Sequence, residues 1–315
     1  MCTMKMLAFR FIFYSIITLG LFLLGYWLAP EMSQEFLQNW KLWQEPLLAG
    51  MIGGLGIALL GVYILLNRVV FLSLAIAQGS GLGIYFVFWV GSFWAWHVDE
   101  SLWVFSGGLF FAMLAAALFA LLRRRESFSE SSLLGLIYVI SSGAMILLGD
   151  RITQASHDIE HLLFGSVVAV HPKDLYFTIA ITGLILVSHI FFRRQFLYAS
   201  ADPTFLKSRG MNTSFCLLLL YALFTLGITS GLKIMGALPI FAMIVMPAFI
   251  AIKRARSIQE TFIIAMWMGA FIPVLGYYYS YLFAFPTGAC LILIATLFLL
   301  LSILESEIRK VFLKK

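Results

Sequence analysis

Residues Ala199–Thr213, with the sequence ASADPTFLKSRGMNT, form a polar interlude between two long apolar runs. Asp202 followed by Pro203 is typical of a helix start, with aspartate as the N-cap and proline at the first helical position. Gly210 indicates the end of that helix, because glycine takes up the left-handed conformation easily. The stretch therefore predicts a helix of about two turns. Its apolar anchors and its charges are Phe205, Leu206, Lys207 and Arg209.

The composition places the flanking runs in a membrane. Of the 315 residues, 62% are hydrophobic and 11% are charged, and the mean hydropathy is +0.99. A soluble domain is about half apolar and a quarter charged. The net charge of +6 then reports on orientation in the membrane and not on a nucleic-acid partner. We expect a single all-α membrane domain spanning residues 1–315.

Apolar runs predict ten membrane-spanning helices. Closely spaced glycines in the second run predict close contact between helix backbones. In the third run, Gln78–Gly81 is predicted to interrupt the helix near mid-depth, and Pro239 and Pro247 are candidate bends in the eighth. The runs cover about 11–29, 47–66, 69–96, 101–122, 131–148, 175–192, 214–228, 232–252, 261–282 and 287–304.

The distribution of basic residues predicts the orientation. With ten spans and a cytoplasmic N-terminus, 17 of the 21 Lys and Arg residues fall on the inner side. Cytoplasmic loops carry such an excess. Both termini and the Asp202 stretch are therefore predicted to be cytoplasmic, and residues 149–174 to lie outside.

The outer segment 149–174 contains the pattern of an amphipathic helix over residues 156–170. His157 and His161 are four residues apart and would share one face of this helix, with Asp158 beside them. Imidazole and carboxylate together suit zinc, manganese or nickel. The alternative is the solvated polar face of a helix that lies on the membrane surface.

The predicted spans contain almost no ionisable residues. His189 is the main exception, and it is either a helix-contact residue or a proton relay. An ion-driven carrier usually needs buried charges at mid-depth, so the pattern favours a conduit driven by a separate motor. The chain has no phosphate-binding P-loop motif, which excludes ATP hydrolysis by that motif here. The Asp202 stretch is then either an ordinary basic loop or a docking helix for a soluble partner.

Several segments, in this order and spacing, resemble the ABC-3 family, the membrane permeases of zinc, manganese and iron ABC importers. They begin with the second span and end with a Pro-Thr-Gly motif. The segments are Leu47–Phe71, Leu134–Leu148, Leu162–Val170, Asp202–Gly210, Gly231–Pro247 and Phe285–Gly288.

The resemblance implies a type II ABC importer-like permease in the inner or plasma membrane, working by alternating access and not itself an enzyme. It implies a second permease chain, identical in a homodimer, an extracytoplasmic metal-binding protein, and a cytoplasmic ATPase that holds ATP and Mg²⁺ and docks at residues 201–211. The transported divalent metal would be zinc first, then manganese or iron, with no cofactor bound by this chain. The implied coupling residues are Asp202, Pro203, Phe205, Lys207, Arg209 and Gly210.

One departure from the family pattern affects the substrate. Metal-handling members usually carry Gly-Asp-Ala-x-Ser-His in the third span, where this chain has Ser73–Gln78. Leu74 replaces the aspartate and Gln78 the histidine, and an amide is a weak ligand for a borderline metal. The substrate is therefore a divalent metal or, alternatively, a chelated metal or a non-metal solute. A stand-alone secondary carrier or assembly factor is a third reading. The pathway candidates are Ser73, Gln78, Pro239 and Pro247.

Overall fold

The computed structural model describes residues 2–94, 102–123, 129–152, 170 and 172–313. All regular structure in these ranges is helical. The helices are α1 Cys2–Leu28, α2 Pro30–Gln38, α3 Trp40–Leu66, α4 Leu72–Trp94, α5 Leu102–Leu122, α6 Glu130–Asp150, α7 Pro172–Ala201, α8 Pro203–Ser208, α9 Thr213–Met235, α10 Ala237–Arg254, α11 Ile258–Phe283 and α12 Thr287–Leu313.

The helix lengths confirm an all-α, multi-pass membrane protein. Nine helices in the described ranges are long and apolar enough to cross a membrane. Residues Ile12–Leu28 of α1, taken with α2, form a tenth candidate, bent by 112° between the two helices. Nine of the ten predicted spans are therefore present, and the first predicted span corresponds to the bent pair.

Helix α3 lies at the centre of the bundle, surrounded by α7, α9, α10 and α11. Its glycines allow these neighbours to approach closely, as the sequence predicts. A Cβ atom on Gly54 would lie 2.1 Å from the carbonyl oxygen of Gly269 in α11, and one on Gly61 would lie 2.1 Å from that of Ile244 in α10. In lipid, where apolar burial gives no drive for helix association, such backbone contact is what holds helices together.

Two predictions of where helices break are wrong: the interruption at Gln78–Gly81, and the break between the seventh and eighth spans at residues 229–231. Helix α4 runs unbroken through Gln78–Gly81, because its small residues pack against neighbouring helices instead of unwinding. A Cβ on Gly79 would lie 3.0 Å from Ala115 in α5, and one on Gly81 would lie 3.0 Å from Met145 in α6. The break between the seventh and eighth spans falls at Gly236 (φ +88°), between α9 and α10. The predicted seventh span therefore extends to Met235 and the eighth begins at Ala237.

Ion pairs at the two ends of the bundle agree with the alternating helix directions. Arg10, in the third turn of α1, pairs with Glu260 at the start of α11, and Arg254 at the end of α10 pairs with Glu305 in α12. At the opposite end, Lys233 Nζ of α9 lies 2.9 Å from Asp174 Oδ1 of α7. The end that holds the arginine pairs is the one predicted to be cytoplasmic.

Candidate functional site

Helix α8 is built as the sequence predicts. The Asp202 carboxylate accepts a hydrogen bond from the Phe205 amide at 3.1 Å, and Pro203 takes the first helical position. The chain leaves the helix through Gly210, whose φ of +72° is a conformation that favours glycine. The predicted two-turn helix is slightly shorter, six residues long.

One face of α8 is fastened to the bundle and the other is left open. Leu206 is fully buried in a small cluster with Ala199 at the end of α7 and Cys216 at the start of α9. Phe205 is 37% exposed, and its ring centroid lies 4.9 Å from that of Tyr198. A push on the exposed face would therefore be passed to the ends of both α7 and α9.

The hydrogen bond from the Thr204 hydroxyl, followed by that from the Phe205 amide, holds the pKa of the Asp202 carboxyl below its ordinary value. Because the folded pKa is depressed, the carboxylate stabilises α8 at every pH above the ordinary value, and this contribution is lost as the pH falls through the depressed pKa.

We expect Asp202→Ala to fray α8, since alanine cannot accept the Phe205 amide proton. Hydrogen exchange in the 203–208 peptide should lose protection several-fold relative to wild type. Asp202→Asn should retain it, because asparagine is an equally good N-cap. In wild type, but not in Asp202→Asn, protection should fall on strong acidification, because only the carboxylate becomes protonated. Equal exchange in the alanine and asparagine variants would contradict the cap.

The pathway candidate Gln78 lies in the second turn of α4, with its amide oxygen buried and unpaired. The side chain is 6% exposed, and Oε1 has no hydrogen-bond partner among the described residues. Tyr85, seven residues further along the same face, is 3% exposed, and its hydroxyl also lacks a partner there. Leu74 lies on this face one turn before Gln78, half-buried. Two oxygens thus line one buried face of α4 without satisfying each other.

Buried polar atoms without partners are uncommon, because desolvation costs about 1–3 kcal/mol each. The face that carries Gln78 and Tyr85 includes Gly81, whose added Cβ would meet Met145 of α6. Ser141 is buried on α6, one turn before Met145. Two of the buried side-chain oxygens that lack a partner in the described part of the chain therefore lie on this one face of α4.

The other face of α4 is satisfied. Ser80 Oγ lies 3.2 Å from Thr229 Oγ1 of α9, with both residues fully buried. Ser73, the remaining pathway candidate on α4, donates its hydroxyl to the Val70 carbonyl at 2.8 Å. Ser73 is thus occupied in the first turn of α4, and the structure does not bring it together with Gln78 in a ligand set.

A small cavity of about 30 Å³ lies at the end of the bundle opposite α8, between α4, α5, α7 and α9. Asp174 and Lys233 line it together with Thr178 and Thr229. Its size is about that of one water molecule. The Lys233 ammonium neutralises Asp174, so this end of the bundle is less acidic at this point than the sequence alone suggests.

Pro239 and Pro247 both lie in α10 and differ in their effect on it. Pro239 is in the first turn, where helix amides need no intrahelical acceptor. Pro247 lies in the helix interior, where it removes one backbone hydrogen bond. Pro247 is therefore the weak position within α10. The chain breaks just before this helix, at Gly236.

The remaining histidine predictions have different outcomes. His157, Asp158 and His161 lie outside the described residues, and no group of metal-binding side chains occurs within the described ones. His189 lies between helices, with Nδ1 2.8 Å from the Tyr63 hydroxyl and its ring 4.5 Å from that of Phe262. It is a helix-contact residue of α7, packed against α3 and α11.

Comparison with known proteins identifies the family. Residues 39–306, most of the chain, match the ABC 3 transport family. The chain belongs to the ABC 3 transport family. The match begins as α3 begins, so α1 and α2 precede it.

Relatives of this ABC 3 family chain include transport proteins for two metals. It is 25% identical over 86% of its length to the manganese transport system membrane protein MntC of Listeria monocytogenes, covering 92% of that protein. It is 24% identical over 85% of its length to the chelated iron transport system membrane protein YfeD of Yersinia pestis, covering 86% of it.

A solved structure shares the fold. PsaBC from Streptococcus pneumoniae, determined in complex with Fab, superposes with a TM-score of 0.74 at 25% identity, covering 85% of this chain and 93% of that one. The resemblance to the ABC-3 family and the all-α permease-like fold are thus confirmed.

Sequence reasoning missed Tyr85 and the pair between Asp174 and Lys233. A tyrosine seven residues after Gln78 does mark the same helix face, so the first could have been found from periodicity. The ion pair joins residues 59 positions apart on two helices, and no local pattern indicates it.

Proposed function

We propose that this chain is the transmembrane permease subunit of an ABC importer for a divalent metal, manganese first and iron next. Metal would cross by alternating access, driven by ATP hydrolysis in a separate subunit. The observation that supports this most is the family match over residues 39–306. The relatives reported above are named for manganese and for chelated iron, whereas zinc, which the sequence analysis puts first, is in neither name.

The chemistry of α4 supports the same order of metals. Gln78 presents an amide oxygen and Tyr85 a phenol oxygen, and no Cys or His lies at the positions of the family's Asp-x-x-x-His. Carbonyl and hydroxyl oxygens suit manganese, whereas zinc prefers imidazole and thiolate. The unpaired Gln78 oxygen would gain a partner each time a hydrated cation passes.

Helix α8 has the shape of a coupling element. In this role the ATPase would dock against its exposed face, at Phe205 and Lys207, while Asp202, Pro203, Arg209 and Gly210 define its ends. Leu206 would carry the motion into α7 and α9. The Lys and Arg asymmetry supports a cytoplasmic position for α8 and for both termini.

The assembly would contain a second permease chain, identical in a homodimer, and an extracytoplasmic metal-binding protein. The segment 149–174, with His157, Asp158 and His161, would face that protein. Residues 1–315 would act as one membrane domain without enzymatic activity. Pro247 and the break at Gly236 would let the helices reorient between inward and outward states.

The experiment is elemental analysis of metal-starved cells with and without the gene, complemented by wild type or by Phe205→Asp. A selective fall in manganese, or in iron, that wild type restores and the variant does not is the expected result. Unchanged content of both metals would refute the proposed substrate.

Gln78→Leu is expected to lower manganese uptake about tenfold without loss of folded protein, because leucine has similar size and removes only the unpaired oxygen. Uptake of radioactive manganese into vesicles measures it. Tyr85→Phe removes the other unpaired oxygen on the same face of α4 and serves as the matched comparison. If neither variant changes uptake, the cation does not pass along this face of α4.

A second candidate is import of a chelated metal, favoured by the loss of the family's carboxylate and imidazole at Leu74 and Gln78. Leu74→Asp/Gln78→His restores the family's spacing. Measurable zinc binding by the variant would indicate that the helix bundle around α4 is a metal channel. No gain in binding would favour the chelate, whose metal needs no ligands from the protein.

A further inference from the structure

An open groove lies where α7 ends and α8 leaves the bundle. Its volume is about 520 Å³, within the range of small-molecule sites. The walls are the last three turns of α7 and the outer side of α8. Three arginines line it, Arg193 and Arg194 from α7 and Arg209 from α8, and no carboxylate does.

These arginines differ from others at the same end of the bundle. Arg10, Arg123 and Arg254 each pair with a glutamate. No carboxylate pairs with the three groove arginines in the described ranges; Arg209 only lies over the Phe205 ring, 5.4 Å from its centroid. The groove therefore concentrates positive charge without an internal counter-ion, which suits an external anion.

The position of the groove along α7 indicates what kind of anion it takes. Ile190 and Phe191 line its other end and are 72% and 76% exposed, as lipid-facing residues are. Arg193 and Arg194 follow at once, and Tyr198 one turn later, an order typical of the boundary between hydrocarbon and headgroups. From Ile190 to Ala201 the helix rises about 16 Å.

We propose that this groove binds an anionic phospholipid, its phosphate held by Arg193, Arg194 and Arg209 and its acyl chains lying along Ile190 and Phe191. Basic pockets beside membrane helices bind acidic headgroups in this way. Since Arg209 belongs to α8 and the other two to α7, the bound lipid fastens α8 to the membrane boundary. The binding itself does not depend on the transported substrate.

The test is native mass spectrometry of the intact permease, purified with any subunits that accompany it, after addition of phosphatidylglycerol or phosphatidylcholine. Wild type should retain phosphatidylglycerol at least about tenfold more strongly. Arg193→Gln/Arg194→Gln should reduce this retention roughly 30-fold, about fivefold for each basic group near an anionic headgroup.

Matched variants distinguish lipid binding at this groove from a general effect of positive charge on α8. Lys207→Gln removes an exposed cation from α8 outside the groove and should leave retention unchanged. Arg193→Lys/Arg194→Lys keeps both charges and should restore most of it. If the glutamine variant does not fold, the comparison moves to wild type, whose melting temperature should rise with phosphatidylglycerol and not with phosphatidylcholine.

Four results would overturn the proposal. The first is equal retention of the two lipids, and the second is a loss in Lys207→Gln as large as in Arg193→Gln/Arg194→Gln. The third is complete displacement of the lipid by inorganic phosphate, which would assign the groove to a free anion. The fourth is retention of phosphatidylglycerol by Arg193→Gln/Arg194→Gln with loss of its ATPase partner, which would assign the arginines to protein docking.

Discussion

Gly54→Ala is expected to destabilise the folded protein strongly, although only one methyl group is added. The new Cβ would lie 2.1 Å from the carbonyl oxygen of Gly269 and 2.9 Å from Pro273 Cγ. Both atoms belong to α11, and one is backbone, so no side-chain rotation relieves the overlap. Helices α3 and α11 must separate, which opens one of the two most extensive helix contacts in the described part of the bundle. Overpacking of this kind costs about 1–3 kcal/mol or more.

The measurement is the folded fraction after detergent extraction, by size-exclusion chromatography, together with the melting temperature. A loss of about 2 kcal/mol changes the folding equilibrium roughly 30-fold. Gly183→Ala in α7 is the matched control, because an added Cβ there meets no atom within 4 Å. That change should be neutral or slightly stabilising, since alanine favours helix. Equal behaviour of the two variants would refute the close packing of α3 on α11.

Phe205→Asp is expected to lower metal uptake at least about tenfold while ATP hydrolysis by the assembled transporter continues. This expectation rests on the proposed docking of an ATPase at α8. The Phe205 side chain is partly exposed and lies outside the buried cluster around Leu206, so the fold should persist. A desolvated carboxylate in an apolar contact costs several kcal/mol, enough to break the contact that transmits motion.

The controls for this prediction separate coupling from folding. Ile258→Asp makes the same exchange of an exposed apolar residue at the start of α11, on the end of the bundle that carries α8. It should leave uptake intact. Gly210→Val should uncouple like Phe205→Asp, because φ of +72° strains a β-branched residue. Normal uptake by Phe205→Asp and Gly210→Val would remove the coupling role from α8.

The parts of this fold that sequence predicts well are those governed by local chemistry. The cap at Asp202, the proline at position 203 and the exit at Gly210 act within a few residues, so their pattern is complete in the chain itself. Membrane spans are equally local, since length and apolarity suffice. The glycines of α3 predict close helix packing correctly, because helices in lipid associate mainly through close backbone contact.

Where the outcome depends on packing between helices, the sequence-based predictions were wrong or incomplete. Small polar residues at Gln78–Gly81 predict a break for an isolated helix, but α5 and α6 cover them and α4 stays intact. At Gly236 a single glycine breaks the chain, with no polar run to announce it. The unpaired oxygens of Gln78 and Tyr85 become visible only once α6 closes over α4, because only burial distinguishes them from ordinary polar residues.

The pair between Arg10 and Glu260 has a consequence for biogenesis. The two residues are 250 positions apart, and α1 packs chiefly against α11, where the Tyr279 hydroxyl also donates to the Leu21 carbonyl at 2.8 Å. At 5–20 residues per second, translation needs roughly 12–50 s to produce Glu260 after Arg10. During that interval the first helix waits in the bilayer with an arginine lacking its final partner. Completion of this protein therefore depends on the last quarter of the chain recruiting the first helix made.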